Sequence, residues 1–275
     1  MNNILSEKEY QRYIIDQLVK PECGYVEAPA AEFDRLFAMN RKALFDFLEA
    51  TQPEKMEALR KIYKGTMEDT LVAFINQQET RTNGSRLDVL KHGVELANIH
   101  LDLMYTKPAT TFNQELTALY HKNIFTVSEE VWASDSERVD LVIFLNGLAI
   151  ITLELKCNAA GQSYQDAIYQ YRMERSPKDR LFLWKAGALV NFAMDLEQVY
   201  MCTRLSGSST FFLPFNMGCG EGIQVGAGNP ILKDNYSVHY MWDDILQKDS
   251  LLEILIWTSI LQSTKTPVRR SCEAI

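Results

Sequence analysis

Apolar residues recur at helical spacing through the first third of the chain. Ser6 followed by Glu9 forms a capping box ahead of Tyr10, Tyr13, Ile14 and Leu18, so a first helix is predicted to end near Lys20, before Pro21 and Gly24. Phe33, Leu36, Phe37, Leu44, Phe45 and Leu48 continue the period, and Pro53 opens a further segment through Met56, Leu59, Ile62 and Tyr63. Two short apolar runs, residues 71–75 and 87–90, are compatible with strands. A helix start at Asn113 leads through Leu116, Leu119 and Tyr120, after which residues 124–132 alternate as a strand does. Residues 139–145 and 148–155 are nearly unbroken apolar and β-branched runs, the pattern of central strands covered on both faces. A helix over 161–175, strands over 188–194 and 198–203 joined by a turn at 195–197, and a helix over 241–261 complete the reading. This is an α/β pattern, with a mostly helical part (1–110) packed on a core (111–262) and a flexible tail (263–275); residues 1–262 can equally form one domain.

Composition narrows the function. With 275 residues and 47% hydrophobic positions the chain can build a sizeable core. Five cysteines without a C-x-x-C pair and four histidines without ligand spacing point to reduced thiols and no zinc. No basic leader and no apolar run of membrane-spanning length is evident, which predicts a cytoplasmic protein with no membrane contact. A net charge of −8 excludes coating of nucleic acid by bulk charge. A local basic window, Arg172, Arg175, Lys178, Arg180 and Lys185, remains a candidate DNA contact, against the plainer reading of a solvated helix end. The five glycines between Gly218 and Gly228 lack the Lys-Ser/Thr of a phosphate-binding loop and read as a mobile surface loop.

The two central runs carry charge where charge is costly. Asp140 opens the first, and Glu154 and Lys156 close the second. Two carboxylates supply hard oxygen ligands for Mg²⁺, the carbonyl of Leu155 lies between Glu154 and Lys156 to complete the shell, and the lysine can orient water or stabilise charge building on phosphorus. The competing reading is a cross-strand ion pair at a sheet margin. Geometry separates them. Asn146-Gly147 signals a hairpin, and a two-residue loop continued as a regular ladder would set Asp140 against Leu153, sending Asp140 and Glu154 to opposite faces. A three-residue loop with a bulge, or an equivalent bulge, would set Asp140 against Glu154 and bring Lys156 to the same face; this register is the one expected.

Four blocks extend the pattern: VDLVIFLNG at 139–147, LELK at 153–156, GQSYQDAIYQYR at 161–172, and TFFLPFN at 210–216 leading to GAGNP at 226–230. In these the chain resembles the amino-terminal nuclease region of the R (restriction, motor) subunit of type I restriction-modification enzymes. The resemblance implies a restriction-endonuclease-like PD-(D/E)xK fold: a mixed central sheet with flanking helices, here with a mostly helical N-terminal extension. It implies Mg²⁺-dependent endonucleolytic cleavage of double-stranded DNA, with Asp140 as first acid, Glu154 as second and Lys156 as the lysine; Val139 stands where the motif's proline would be. The Gln-x-x-x-Tyr element of similar nucleases matches imperfectly. Gln170 best fits the glutamine, yet Glu174 stands four residues on; Gln165 and Tyr169 keep the literal spacing one turn earlier. A further acid from the first helix, Glu7 or Glu9, joins some such sites, although Glu9 is also the capping partner of Ser6.

The resemblance further implies methyltransferase and specificity subunits as partners, and ATP used only by translocase domains. No Walker A motif occurs in this sequence, so the chain reads as an amino-terminal fragment or truncated product that binds DNA weakly and cuts poorly alone. Two other readings stay open: a non-catalytic nuclease-fold docking module, and a stand-alone repair or junction nuclease.

Overall fold

A computed structural model describes residues 4–108, 110, 112–218 and 227–263. In chain order the helices are α1 (Glu7–Leu18), α2 (Arg41–Thr51), α3 (Pro53–Tyr63), α4 (Met67–Thr80), α5 (Arg86–His92), α6 (Gln114–His121), α7 (Tyr164–Met173) and α8 (Lys248–Ser263). The strands are β1 (Val26–Glu27), β2 (Phe33–Asp34), β3 (Met39–Asn40), β4 (Val94–Leu96), β5 (Ile99–Leu101), β6 (Phe125–Trp132), β7 (Arg138–Leu145), β8 (Leu148–Leu155), β9 (Val190–Met194), β10 (Val199–Cys202) and β11 (Leu213–Pro214). Nine of them form one mixed sheet in the order β1-β6-β7-β8-β9-β10-β11, with β3 pairing both β8 and β2; β4 and β5 make a separate hairpin.

Every residue of β8, and every residue of β7 after Arg138, is buried, as their unbroken apolar runs require. Each face of the sheet has its own cluster. Leu141, Ile143, Ile151, Leu153 and Leu155 pack with Tyr10, Ile14 and Leu18 of α1. Val142, Phe144, Ala149 and Ala193 pack with Ala167 and Tyr171 of α7. The antiparallel meander β6-β7-β8 passes through α7 to β9, which runs parallel to β8, the crossover that a parallel neighbour demands.

Several expected elements differ. Residues 71–75 and 87–90 lie within α4 and α5, because Leu71, Val72 and Ile75 continue the helical period of Met67, and Ser85 caps α5 by accepting from the Asp88 N–H. The apolar residues 33–37 form β2 and a turn instead of a helix. The final segment is broken: Met241–Ile245 winds as a π-helical turn before α8 begins. The first 110 residues supply β1, β2 and β3 to the main sheet and share its core. The tail from 264 and most of the glycine-rich stretch (219–226) lie outside the described residues. Among the described residues no helix is long and apolar enough to cross a membrane.

Asn146 and Gly147 both take positive φ (48° and 83°), the signature of a two-residue type I′ hairpin. Asn146 is wholly buried. Its Oδ1 accepts from the Ile124 N–H at 2.7 Å, and its Nδ2 donates to Leu103 O and Asn123 Oδ1 at 2.9 Å each. A Cβ on Gly147 would stand 2.4 Å from Asn40 O and 2.6 Å from Leu44 N, both main-chain atoms. Gly147→Ala therefore combines backbone strain with overlap, and denaturant unfolding should show a loss of at least about 2 kcal/mol.

Candidate active site

The hairpin pairs Leu145 with Leu148 and Phe144 with Ala149, and then slips: Ile143 faces Ile151, Val142 faces Thr152, and Leu141 faces Leu153. Ile150 is the extra residue of a β-bulge. One step further along the ladder, Asp140 falls opposite Glu154. The loop is thus the two-residue one, and the equivalent bulge supplies the shift of register. Thr152 turns towards α7, its Oγ1 lying 2.8 Å from Tyr171 Oη, and Glu154 follows on that side.

Five charged groups converge at this end of the strands. Asp140 Oδ2 accepts the Leu155 N–H at 2.6 Å, replacing the ladder where the pairing ends. Glu154 is completely buried; its Oε1 accepts from Arg175 Nε at 2.7 Å, while its Oε2 has no partner within the protein. Lys156, also buried, donates from Nζ to Glu7 Oε2 at 2.8 Å, at the first turn of α1. Arg175 is anchored in addition by donation from Nη2 to Arg138 O at 2.8 Å, so it spans the start of β7 and the end of β8.

Burial raises the Asp140 carboxyl well above its ordinary range. The neighbouring Glu154 and Glu7 push it the same way, against the Leu155 N–H and Lys156. Burial likewise lifts Glu154 to about 7, opposed chiefly by Arg175 and then Lys156. Three carboxylates thus face two cations, leaving a local deficit of one positive charge. Two adjacent buried carboxylates, one with an orphaned oxygen, fit a hard divalent cation. No cluster of three or more His, Cys, Asp or Glu among the described residues is arranged to hold a metal unaided. A shell of two carboxylates and one main-chain carbonyl, completed by water, suits Mg²⁺, which gives up its waters reluctantly.

The remaining candidates separate. Gln170 lies on α7 immediately before Tyr171, and its Oε1 is buried without a partner. Gln165 and Tyr169 are exposed; the Gln165 amide reaches only the hydroxyl of adjacent Tyr164, so the literal spacing falls on the outer side of the helix. Glu9 is consumed by the cap, accepting from the N–H groups of Leu5 and Ser6. Glu7 lies on the same stripe as buried Tyr10, Gln11 and Ile14, so the helical period itself distinguishes it from Glu9.

The basic window does not form one surface. Arg175 is buried on Glu154, and Arg180 is bound to Glu79, with Nε donating to Asn76 Oδ1 at 2.9 Å. Arg172 donates to Thr210 O and lies over the Phe212 ring. Lys178 and Lys185 alone are exposed. A buried carboxylate recruits the nearest guanidinium, and the sequence carries no spacing rule that would have singled out Arg175 for that role.

Residues 4–210 match the family model described as type I restriction enzyme R protein N terminus. The chain belongs to this family. The match takes in Glu7, Asp140, Glu154, Lys156 and Arg175 together, and ends at Thr210, before β11 and α8. No curated protein matches the chain. The family's R-protein N terminus is thus, in this chain, a mixed α/β sheet with helices on both faces, of the kind nucleases use.

Proposed function

We propose that this chain is the DNA-cleaving part of a type I restriction R subunit, a Mg²⁺-dependent endonuclease acting on double-stranded DNA. It works in an assembly with methyltransferase and specificity subunits and an ATP-driven translocase. The observation that carries the reading is the bulged register, which sets two buried, mutually repelling carboxylates opposite one another with a lysine two residues on. A structural ion pair gains nothing from a second buried acid beside it, whereas a divalent cation gains a ligand. Asp140 and Glu154 would hold the cation, with the Leu155 carbonyl as a further ligand. When bound, Mg²⁺ supplies polarisation of the scissile phosphate and a bound water of lowered pKa. Glu7 fixes the Lys156 ammonium, which stabilises the negative charge that builds on phosphorus. Arg175 keeps Glu154 ionised and oriented.

The test is Lys156→Ala in the complete assembly with ATP. Cleavage should fall by about 10³-fold or more with ATPase activity retained. Unaffected cleavage rejects the reading in favour of a docking module. Metal-dependent cutting of branched or single-stranded DNA by the chain alone would favour a stand-alone nuclease.

A further inference from the structure

The site depends on one extra residue in β8, and a buried cluster remote from the carboxylates grips that residue's neighbours. Continued without a bulge, the two-residue turn would leave Asp140 opposite Leu153. The slip at Ile150 corrects this, and Ile150 and Ile151 consequently both join the cluster on the α1 face. Ala149 flanks the bulge and turns its main chain to the β3 side, where its N–H donates to Ala38 O at 3.4 Å and a buried carbonyl left without a donor would be costly. Here the Ala149 carbonyl accepts from Arg86 Nη1 at 3.0 Å. The same nitrogen donates to Ala38 O at 2.9 Å, and Nη2 donates to Phe37 O at 3.1 Å, tying the approach to β3 to the bulge. Arg86 has no exposed surface. Its charge is met by Glu79, which accepts from Nε at 2.8 Å and Nη2 at 3.1 Å and is equally buried. Arg180 leans on the same carboxylate, and burial followed by the charge of Arg86 lowers its pKa to about 10. Two guanidiniums on one carboxylate, out of water, are a costly way to fill a core. The backbone carbonyls that Arg86 collects give the cost a reason.

We propose that Arg86, clamped by Glu79, is a positioning residue: it holds the β8 bulge and thereby sets Glu154 opposite Asp140. The helices before residue 93 are then part of the site's machinery. The inference rests on the reading of Asp140 and Glu154 as cation ligands, and its test uses the 275-residue chain with Mn²⁺ as probe. Arg86→Lys keeps a charge for Glu79, but an ammonium has three N–H donors and cannot replace the five hydrogen bonds of the guanidinium, three to carbonyls and two to Glu79. Mn²⁺ affinity by calorimetry should fall about tenfold, and amide exchange at residues 149–151 should rise while β9 and β10 stay protected. Deleting Ile150 removes the need for the bulge while keeping the pairing from Ile143–Ile151 onward. That deletion should leave affinity within about threefold of the parent and restore it in Arg86→Lys. If Arg86→Lys does not fold, the double variant decides: recovery of fold and binding supports the proposal, and failure overturns it. Wild-type affinity and exchange in a folded Arg86→Lys also overturn it. Should the parent show no Mn²⁺ binding sensitive to Asp140→Asn, the cation reading fails, and exchange at 149–151 still tests the clamp by itself.

Discussion

Asp140→Asn is expected to stabilise the metal-free protein while abolishing the Mg²⁺-dependent cleavage of DNA proposed for it. The amide keeps an oxygen for the Leu155 N–H and removes a charge that burial, Glu154 and Glu7 all oppose. The sign follows from linkage. The folded protein binds the Asp140 proton more tightly than the unfolded chain does, so ionised Asp140 counts against folding above the ordinary value of 3.8. Below that value both states are protonated and the difference vanishes. Thermal melts in chelator should place Asp140→Asn above the parent by about 2–4 °C at pH 8, corresponding to about 1–2 kcal/mol, and bring the two together near pH 4. Saturating Mg²⁺ should reverse the order, because only the parent gains binding free energy, about 2.7 kcal/mol at a hundredfold excess over Kd. Coincident melts at pH 8 in chelator would show that the two acids do not repel one another in the folded chain.

The sequence made the strands of the site legible because burial on both faces leaves an unmistakable run of apolar residues, and Asn146-Gly147 allows few turns. Parity then required a bulge, since Glu154 is one residue too far for a regular two-residue hairpin. Its place at Ile150 was not legible: one isoleucine among β-branched neighbours carries no local mark, and its clamp, Arg86, lies 63 residues from Ala149. Long-range charge partners were lost for the same reason. Lys156 meets Glu7 across 149 residues, and Arg175 looked like surface charge because its neighbours Glu174 and Lys178 are solvated. The runs at 71–75 and 87–90, compatible with strands on sequence alone, show a different limit, since a stretch of four or five residues fits either period until the flanking turns are seen.

Arg175→Met should be the most destabilising of the charge-removing substitutions at the site, because it strands Glu154. Breaking a buried pair by removing one partner costs about 3–5 kcal/mol, most of it the penalty of the charge left behind. The loss should depend on pH in a defined direction. Glu154 already stands near 7 with Arg175 in place. Without that guanidinium its folded-state pKa rises further, so the penalty is present at high pH and shrinks as Glu154 takes up a proton. Urea unfolding should therefore show the full loss at pH 8 and a clearly smaller one at pH 5. Adding Glu154→Gln should recover most of the loss at pH 8, leaving about 1 kcal/mol for the vacated Arg138 carbonyl. A loss below about 1 kcal/mol for Arg175→Met at pH 8 would mean that water reaches Glu154, and a wet carboxylate has no need of the guanidinium. A loss that the second substitution repairs locates the role of Arg175 in Glu154 itself: it keeps the buried acid charged, with Oε1 occupied and Oε2 free, the state a carboxylate must be in before it can ligate a cation.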